Sequence, residues 1–212
     1  MLSAVEEGVP SMGAGSIYPI PLDEVLVDPF PIPQHWRRAY GLDVGWNRTA
    51  AVWGAMDSDS DTLFLYTEHY RAHAEPSIHA TAIKARGAWI PGVIDPAARG
   101  SSQRDGRRLI IEYQELGLNL TLAEKSASAG IHAVWDRLAT GRLRVFRSMR
   151  NWQAEYRIYR RSPGGKGVKG HDHLMDGTRF LVISGIAMAI TKPPDIFRRP
   201  VSLSARLTKT GY

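Results

Sequence analysis

Two aspartates stand in short apolar stretches of the sequence, where an unpaired charge is costly. Asp43 lies within the run 40–46, and burial of its carboxylate without a partner is unfavourable. Gly41 and Gly45 flank it and leave room for a ligand or another backbone to approach. Asp95 ends an apolar run directly before a proline, and ligands of α/β sheets bind at the carboxyl ends of strands. Taken singly, each aspartate is explained as well by a structural role as by function: Asp95 could cap a turn before Pro96, and Asp43 could pair with an arginine.

A third acidic site lies in the segment 171–176. Asp172 and Asp176 are four residues apart, so a helix places both carboxylates on one face. Asp172 is a candidate N-cap of that helix, but capping does not explain Asp176 one turn further on. His173 adds a nitrogen ligand or a proton carrier.

Carboxylates from two strands and one helix fit the requirements of a magnesium site. Magnesium prefers hard oxygen ligands and keeps several of its waters. Two such ions about 3.5–4 Å apart activate a water and stabilise the leaving oxygen of a phosphodiester. Without a metal, clustered carboxylates repel one another, and some become protonated.

The formal net charge of +6 is unevenly distributed along the chain. Residues 137–171 hold ten basic side chains and a single acid, Glu155, whereas residues 1–136 hold 17 acidic and 11 basic ones. Such asymmetry indicates contact with nucleic acid. A solvated basic face with core aromatics between the arginines is an equally good explanation of the charge alone.

Composition excludes several classes of protein. The absence of cysteine excludes disulfide scaffolds, thiolate zinc sites and cysteine nucleophiles. The longest apolar run, 180–190, has about half of the roughly 20 residues that cross a bilayer, and no signal peptide is visible. With 43% hydrophobic residues the chain can bury a core, so we expect a soluble, intracellular protein.

The elements that would position the acids follow a mixed α/β pattern. Periodicity predicts three strands first, joined as antiparallel neighbours, and then an alternation of helices and strands that favours parallel pairing. The expected strands are 40–46, 49–56, 62–70, 92–95, 119–124 and 143–146, and the expected helices are 75–88, 105–116, 129–139, 149–157 and 172–189.

Proline and glycine density divides the chain into three parts. Residues 1–36 contain six prolines and three glycines, which predicts an extended arm without regular ladders. Residues 192–212 resemble it and are expected to form a tail. The ordered body is therefore expected at 37–191, interrupted at 162–170 by a glycine-rich segment that is either a mobile loop or the tip of a hairpin.

The acidic stretches together resemble the ribonuclease H-like nucleases, and more specifically the nuclease domain of the large terminase subunit of tailed bacteriophages. The matching stretches are Gly41–Asn47, Val93–Pro96 and Asp172–Phe180, with further matches at Lys125, Gly130–Ile131, Glu155–Tyr159 and the proline-rich arm. The resemblance covers roughly residues 8–190. Any one of the three acidic motifs alone is weak, but the three in this order are fairly specific.

The resemblance implies a Mg²⁺- or Mn²⁺-dependent endonuclease that cuts concatemeric double-stranded viral DNA during genome packaging. Asp43, Asp95 and Asp176 would be catalytic and hold one or two ions, with Asp43 as the bridging ligand. Asp172 is a further candidate ligand. The resemblance also implies auxiliary roles for His173 and Lys125, and sequence-independent phosphate contacts for Arg160, Arg161, Lys166 and Lys169.

The same resemblance implies partners and a location. A large terminase also carries an ATPase motor, whose glycine-rich phosphate loop ends in Lys and Ser or Thr, and this sequence has no such motif. The chain is thus expected to be a nuclease domain that cuts but does not translocate DNA, with residues 1–36 as the link from a motor domain. Its partners would be that motor, the small terminase subunit and the portal in the host cytoplasm, with no membrane contact.

Two other classes remain open on the sequence. One is a different ribonuclease H-like enzyme, such as a transposase or a junction resolvase. The other is a non-catalytic DNA-binding or assembly module, in which the acids serve as structural partners of the many arginines.

Overall fold

A computed structural model of the chain describes residues 15–96, 109–160 and 172–194. The strands are β1 (Leu26–Val27), β2 (Arg37–Asp43), β3 (Thr49–Asp57), β4 (Thr62–Arg71), β5 (Gly92–Ile94), β6 (Leu120–Leu122) and β7 (Leu143–Phe146). The helices are α1 (Leu22–Val25), α2 (Pro76–Lys84), α3 (Leu109–Glu115), α4 (Ala127–Ala139), α5 (Arg150–Ile158), α6 (His173–Phe180) and α7 (Ile186–Met188), with a π-helical turn at Leu181–Gly185.

The strands form one mixed sheet in the order β1-β7-β4-β3-β2-β5-β6. Strands β2, β3 and β4 pair as antiparallel neighbours, whereas β5, β6, β7 and β1 join by parallel pairing. The turn between β3 and β4 is fixed locally, because the Ser60 hydroxyl donates to the Asp57 carboxylate at 2.6 Å. The predicted mixed sheet, antiparallel first and parallel afterwards, is confirmed.

Helices cover both faces of the sheet and bury two main cores. Helices α4, α5 and α6 contribute to the core on one face, and α2 and α3 contribute to the core on the other. Along β2, Tyr40 and Leu42 join the α2/α3 core, whereas Ala39 joins the core under α6. Because side chains alternate along a strand, Asp43 lies on the α6 side.

The N-terminal segment 15–36 is more regular than its proline content predicts. Ile17, Tyr18, Val25 and Leu26 are buried, and β1 pairs in parallel with β7 at the edge of the sheet. A two-residue edge strand between prolines needs few ladder hydrogen bonds, so the prolines do not prevent it. Regular structure therefore begins before the expected boundary at residue 37, and residues 1–14 lie outside the described chain.

Element boundaries differ from the predicted ones for local reasons. Helix α2 ends at Lys84 rather than Ala88, because the chain turns at Gly87 with a φ of +133°. Helix α4 begins two residues early, since the Ser126 hydroxyl accepts a hydrogen bond from the N–H of Ala129 at 3.3 Å. No helix in the described ranges is both long and apolar enough to cross a bilayer.

A buried histidine pair joins β4 to α2. His79 Nε2 lies 3.1 Å from the Ala74 carbonyl oxygen, which can only accept, so Nε2 carries the proton. His79 Nδ1 then accepts from Nε2–H of His69 at 2.9 Å, and both rings are neutral. Burial lowers the pKa of both histidines, that of His69 to about 4. His79, Arg86 and Arg71 also lower the pKa of His69, whereas at His79 the effect of Arg71 is opposed by the hydrogen bond to Ala74.

This pair predicts a loss of stability in mild acid. The unfolded chain takes up a proton on His69 near pH 6.5, whereas the folded chain does so only near pH 4, so stability falls as pH decreases through that window. The lowered pKa of His79 acts in the same direction. We expect a loss of about 1 kcal/mol at pH 5, or roughly 2–4 °C in Tm. Thermal melts of wild type and His69→Gln at pH 7.5 and 5 test this. Equal pH slopes for the two proteins would contradict it.

Candidate active site

Asp43 and Asp95 lie side by side at the carboxyl ends of two neighbouring strands. Strands β2 and β5 are parallel, with Leu42 opposite Ile94. The N–H of Asp95 then donates to the Leu42 carbonyl oxygen at 3.1 Å, which continues the pairing for one residue beyond β5. Asp95, which the sequence places at the end of a strand, thus meets Asp43 at the same edge of the sheet. Asp43 was expected within the strand 40–46, but β2 ends at this residue.

Helix α6 lies in backbone contact with β2. A methyl group added to Gly41 would come closer than 3.0 Å to the carbonyl oxygen of Gly177. Only glycine at position 41 permits this approach, although its backbone conformation is open to other residues. The contact brings the first turn of α6, with His173 and Asp176, next to Asp43.

Asp43 and His173 form an ion pair at this junction. The ring N–H of His173 at Nδ1 donates to Oδ2 of Asp43 at 2.7 Å. Burial raises the pKa of Asp43, and the hydrogen bond from His173 opposes that effect. The same hydrogen bond raises the pKa of His173. The hydrogen bond thus favours a negative charge on Asp43 and a positive charge on His173, whereas burial disfavours both charges.

Asp176 is the most strongly perturbed carboxyl group of the site. Burial raises its pKa to about 7, Arg179 opposes that shift, and the charges of Asp172, Asp43 and Asp95 add to it. Arg179 Nη2 lies 2.8 Å from Oδ1 of Asp176. The four aspartates predicted from the sequence are thus close enough for their charges to interact.

Helix α6 is capped by a residue that sequence reasoning assigned no role. Asp172 occupies the N-cap position, but its side chain caps no N–H group in the described chain. Instead Oε2 of Glu155, on α5, accepts from the N–H groups of Leu174 at 2.7 Å and Met175 at 3.3 Å. Glu155 is only 3% exposed. The sequence feature that distinguished Glu155 was that it is the single acid among the ten basic residues of 137–171.

Removing this cap should destabilise the protein and loosen α6. Glu155→Ala leaves two buried N–H groups unpaired, at a cost of about 2–4 kcal/mol in the free energy of unfolding. Glu155→Gln retains an acceptor oxygen and should lose less than half as much. Urea unfolding of the three proteins measures the difference. Equal losses for Ala and Gln would show that the acceptor is unimportant.

A cleft of about 430 Å³ opens beside the acids. Its lining includes Asp95, Lys125, Asp176 and Arg179. Lys125, which the sequence assigned to an auxiliary role, is therefore brought to two of the acids. The cleft combines two carboxylates with two cations, a composition suited to a phosphate accompanied by a metal ion.

The acids have the chemistry of a divalent-metal site but are not preassembled as one. Within the described ranges, no group of three or more His, Cys, Asp or Glu side chains is arranged to hold a metal. Asp43 is engaged by His173 and Asp176 by Arg179. The oxygen donors and their mutually repelling charges fit a hard divalent ion. Each of the two pairs engages one oxygen of its carboxylate, and the positive charge of Arg179 opposes the binding of a cation at Asp176.

The predicted phosphate-binding cations are only partly described. Arg160 is exposed and forms a β-bridge with Ser16, near a small cleft that includes Tyr18 and Tyr156. The other three, Arg161, Lys166 and Lys169, lie outside the described residues, as does the predicted loop 162–170. Their contact with DNA stays a prediction.

A sheet of this order, with acids at the ends of β2 and β5 and on the helix that covers them, is a ribonuclease H-like nuclease fold, as the sequence predicted. The sequence model of the Terminase RNaseH-like domain matches residues 40–184, and the chain belongs to this family.

Solved structures and curated relatives agree with that assignment. The nuclease domain of the phage P22 large terminase aligns with a TM-score of 0.76 at 26% identity, over 85% of this chain and 97% of that one. The G20c phage terminase nuclease with bound magnesium shares the fold, with a TM-score of 0.58 at 18% identity, over 79% of this chain and 96% of that one.

The curated relatives are whole large subunits. That of Salmonella phage P22 is 30% identical over 189 residues, covering 82% of this chain and 36% of the relative. That of Enterobacteria phage LP7 is also 30% identical, covering 82% of this chain and 38% of the relative. The chain thus spans well under half the length of these relatives.

Proposed function

We propose that this chain is a metal-dependent endonuclease that cleaves concatemeric double-stranded viral DNA during genome packaging. The observation that carries the proposal is the convergence of Asp43, Asp95 and Asp176 from β2, β5 and α6, with charges that perturb one another. Family membership favours this function over a transposase or a junction resolvase.

In this proposal Asp43, Asp95 and Asp176 hold one or two Mg²⁺ or Mn²⁺ ions. Bound ions of this kind activate a water and stabilise the leaving oxygen of the phosphodiester. Asp172, at the start of the same helix, is a further candidate ligand. The bound magnesium of the G20c nuclease supports the choice of a hard divalent ion.

The chain's other residues hold and orient these acids. Glu155 fixes the first turn of α6, and His173 holds a proton against Asp43. Lys125 lies in the cleft that contains Asp95 and Asp176. Each of these contacts positions a carboxylate or balances its charge, which is the support a buried acidic site requires.

DNA would be bound by its backbone rather than by its sequence. We assign that contact to Arg160, Arg161, Lys166 and Lys169, because cations on a basic segment neutralise phosphates without reading bases. The motor domain, the small terminase subunit and the portal are the expected partners, in the host cytoplasm.

Cleavage of supercoiled plasmid tests the function directly. The chain should nick and linearise plasmid with Mg²⁺ or Mn²⁺, and excess EDTA should abolish the reaction. Mn²⁺ should also raise the Tm, because ligand binding stabilises the folded state. A protein with neither response would be a non-catalytic module, and selective cutting of four-way junctions would identify a resolvase. Anomalous peaks from a Mn²⁺-soaked crystal should lie between Asp43, Asp95 and Asp176.

A further inference from the structure

We propose that Arg179 and Lys125 form a subsite for a backbone phosphate of DNA, and that Arg179 neutralises Asp176 until a divalent ion binds. This inference rests on the proposed function. It assigns a binding role to Arg179 and makes the pair of Arg179 and Asp176 part of metal binding.

The position of Arg179 is built by two helices. A methyl group on Gly130, in α4, would come closer than 3.0 Å to Cγ and Cδ of Arg179, so the arginine stem lies directly against bare backbone. Its guanidinium carbon lies 5.1 Å from the centre of the Phe180 ring. Only 11% of the side chain is exposed. Arg179 is therefore a fixed group beside Asp176 rather than a solvated surface charge.

The hydrogen-bonding capacity of Arg179 is incompletely used. Nη2 contacts Asp176, but Nε is buried and has no acceptor among the described residues. A buried donor without a partner is unfavourable, because it has lost its hydrogen bonds to water. The planar guanidinium matches two oxygens of one phosphate, so a phosphodiester would satisfy Nε and a terminal nitrogen together.

The cleft supplies the rest of the subsite. Lys125 and Arg179 share it with Asp95 and Asp176. The carboxylates would repel a phosphate on their own, whereas the two cations attract it, and a divalent ion would remove the repulsion. A cleft of mixed sign therefore fits a phosphodiester that arrives with a metal ion.

Metal and arginine compete for the same carboxylate. When a divalent ion takes Asp176, the guanidinium is released from its acceptor and gains the phosphate in exchange. Removal of the arginine charge should consequently strengthen metal binding in the absence of DNA and weaken DNA binding. A merely structural arginine would not shift the two affinities in opposite directions.

Arg179→Gln and Lys125→Gln test the proposal, with Arg142→Gln as a matched control. Arg142 pairs with Asp61 at 2.7 Å, in the turn beyond the end of β3, whereas Asp43 lies opposite Ala50 at its start. The control thus makes the same charge change at the opposite end of the sheet. Mn²⁺ affinity is measured by calorimetry at pH 8 without DNA, and affinity for a short duplex by anisotropy in Ca²⁺.

We expect Arg179→Gln to bind Mn²⁺ roughly 3–10-fold more tightly and the duplex roughly 5–10-fold more weakly. Lys125→Gln should weaken duplex binding alone. In both variants the slope of log affinity against log salt concentration should decrease by the amount that corresponds to about one phosphate contact. Arg142→Gln should change neither affinity more than about twofold.

Four outcomes would overturn the proposal. If Arg179→Gln binds Mn²⁺ no more tightly than wild type, Arg179 does not compete with the metal. If Arg179→Gln binds the duplex as tightly as Arg142→Gln does, Arg179 is not part of a phosphate subsite. Inorganic phosphate that competes with the duplex at equal concentration would indicate a free-anion site. If wild type itself neither binds Mn²⁺ nor cleaves, the proposed function fails as well, whereas wild-type cleavage with silent Arg179 variants refutes only this inference.

A second variant keeps the test valid if Arg179→Gln does not fold. Arg179→Lys retains the positive charge but loses the planar fork, so it should keep Mn²⁺ affinity near that of wild type while weakening duplex binding about fivefold. Equal duplex affinity for Arg179→Lys and wild type would contradict a phosphate held by the guanidinium.

Discussion

Asp43→Asn should abolish plasmid cleavage in Mg²⁺ or Mn²⁺ while the protein stays folded. Asp43 ends β2, is 9% exposed, and lies within the electrostatic range of the other acids. Asparagine keeps the size of the side chain and an oxygen that can accept from His173, but it lacks the charge that would hold a divalent ion. Loss of several kcal/mol of metal-assisted catalysis corresponds to a rate decrease of at least about 10³-fold.

The stability of Asp43→Asn should remain close to that of wild type. Burial raises the pKa of Asp43, so a neutral side chain avoids a desolvation cost while it loses the ion pair with His173. The Mn²⁺-dependent rise in Tm should disappear together with cleavage. Loss of activity through unfolding would instead lower the Tm without metal.

Asp57→Asn is the matched control for this variant. Asp57 ends β3, at the opposite end of that strand from Ala50, which pairs with Asp43. The same chemical change there should leave cleavage and the Mn²⁺ response within about twofold of wild type. Undiminished cleavage by Asp43→Asn would remove the proposed mechanism, whatever the control does.

The placement of the acids was largely predictable because it depends on local patterns. Asp95 ends an apolar run directly before a proline, which indicates the carboxyl end of a strand, and Asp43 was expected within the strand 40–46. The spacing of Asp172 and Asp176 likewise put both on one helix. The position of Asp95 and helix α6 confirm these expectations, whereas β2 ends at Asp43 rather than at residue 46.

The partners of these acids were not predictable, because they come from distant parts of the chain. Glu155 caps α6 across 19 residues, and the hydrogen bond between Asp43 and His173 spans 130. The periodicity of hydrophobic residues indicates helices and strands, but it carries no information about contacts between residues so far apart in the sequence. Strand β1 was not predicted for a related reason. Two residues are too few to show an alternating pattern, and their pairing with β7 depends on tertiary contacts with a distant part of the chain.

The positions of the acids do not by themselves assign a role to each of them. The sequence ranked Asp176 above Asp172 because helix capping explains only Asp172, and because of the family resemblance. In the structure, Asp176 is the carboxyl group with the pKa of about 7, paired with Arg179. The metal-ligand roles of all these acids stay predictions, which the Mn²⁺ and cleavage experiments test.

Gly41→Ala should separate the two halves of the site. Its Cβ would come closer than 3.0 Å to the Gly177 carbonyl oxygen, and this backbone atom cannot rotate away as a side chain would. Helix α6 must therefore move off β2, and His173 and Asp176 move with it. We expect a loss of about 3 kcal/mol or more in the free energy of unfolding, measured by urea denaturation.

Gly45→Ala is the natural comparison, because it lies two residues beyond Asp43 in the same segment. There the nearest atom to an added Cβ is the Arg48 carbonyl oxygen at 3.1 Å, so the backbone would need to shift only slightly. This variant should lose about 1 kcal/mol and keep its Mn²⁺ response. Equal losses for the two glycines would show that the contact between β2 and α6 is not what the fold depends on.

The Gly41 variant also distinguishes stability from site assembly. At low temperature, where folded protein remains, the acids of β2 and β5 stay paired through their strands, but Asp176 is displaced with its helix. Mn²⁺ should then bind more weakly and cleavage should fall further than the folded fraction does. Activity that follows the folded fraction alone would mean that α6 supplies no ligand, and would restrict the metal site to the two strand ends.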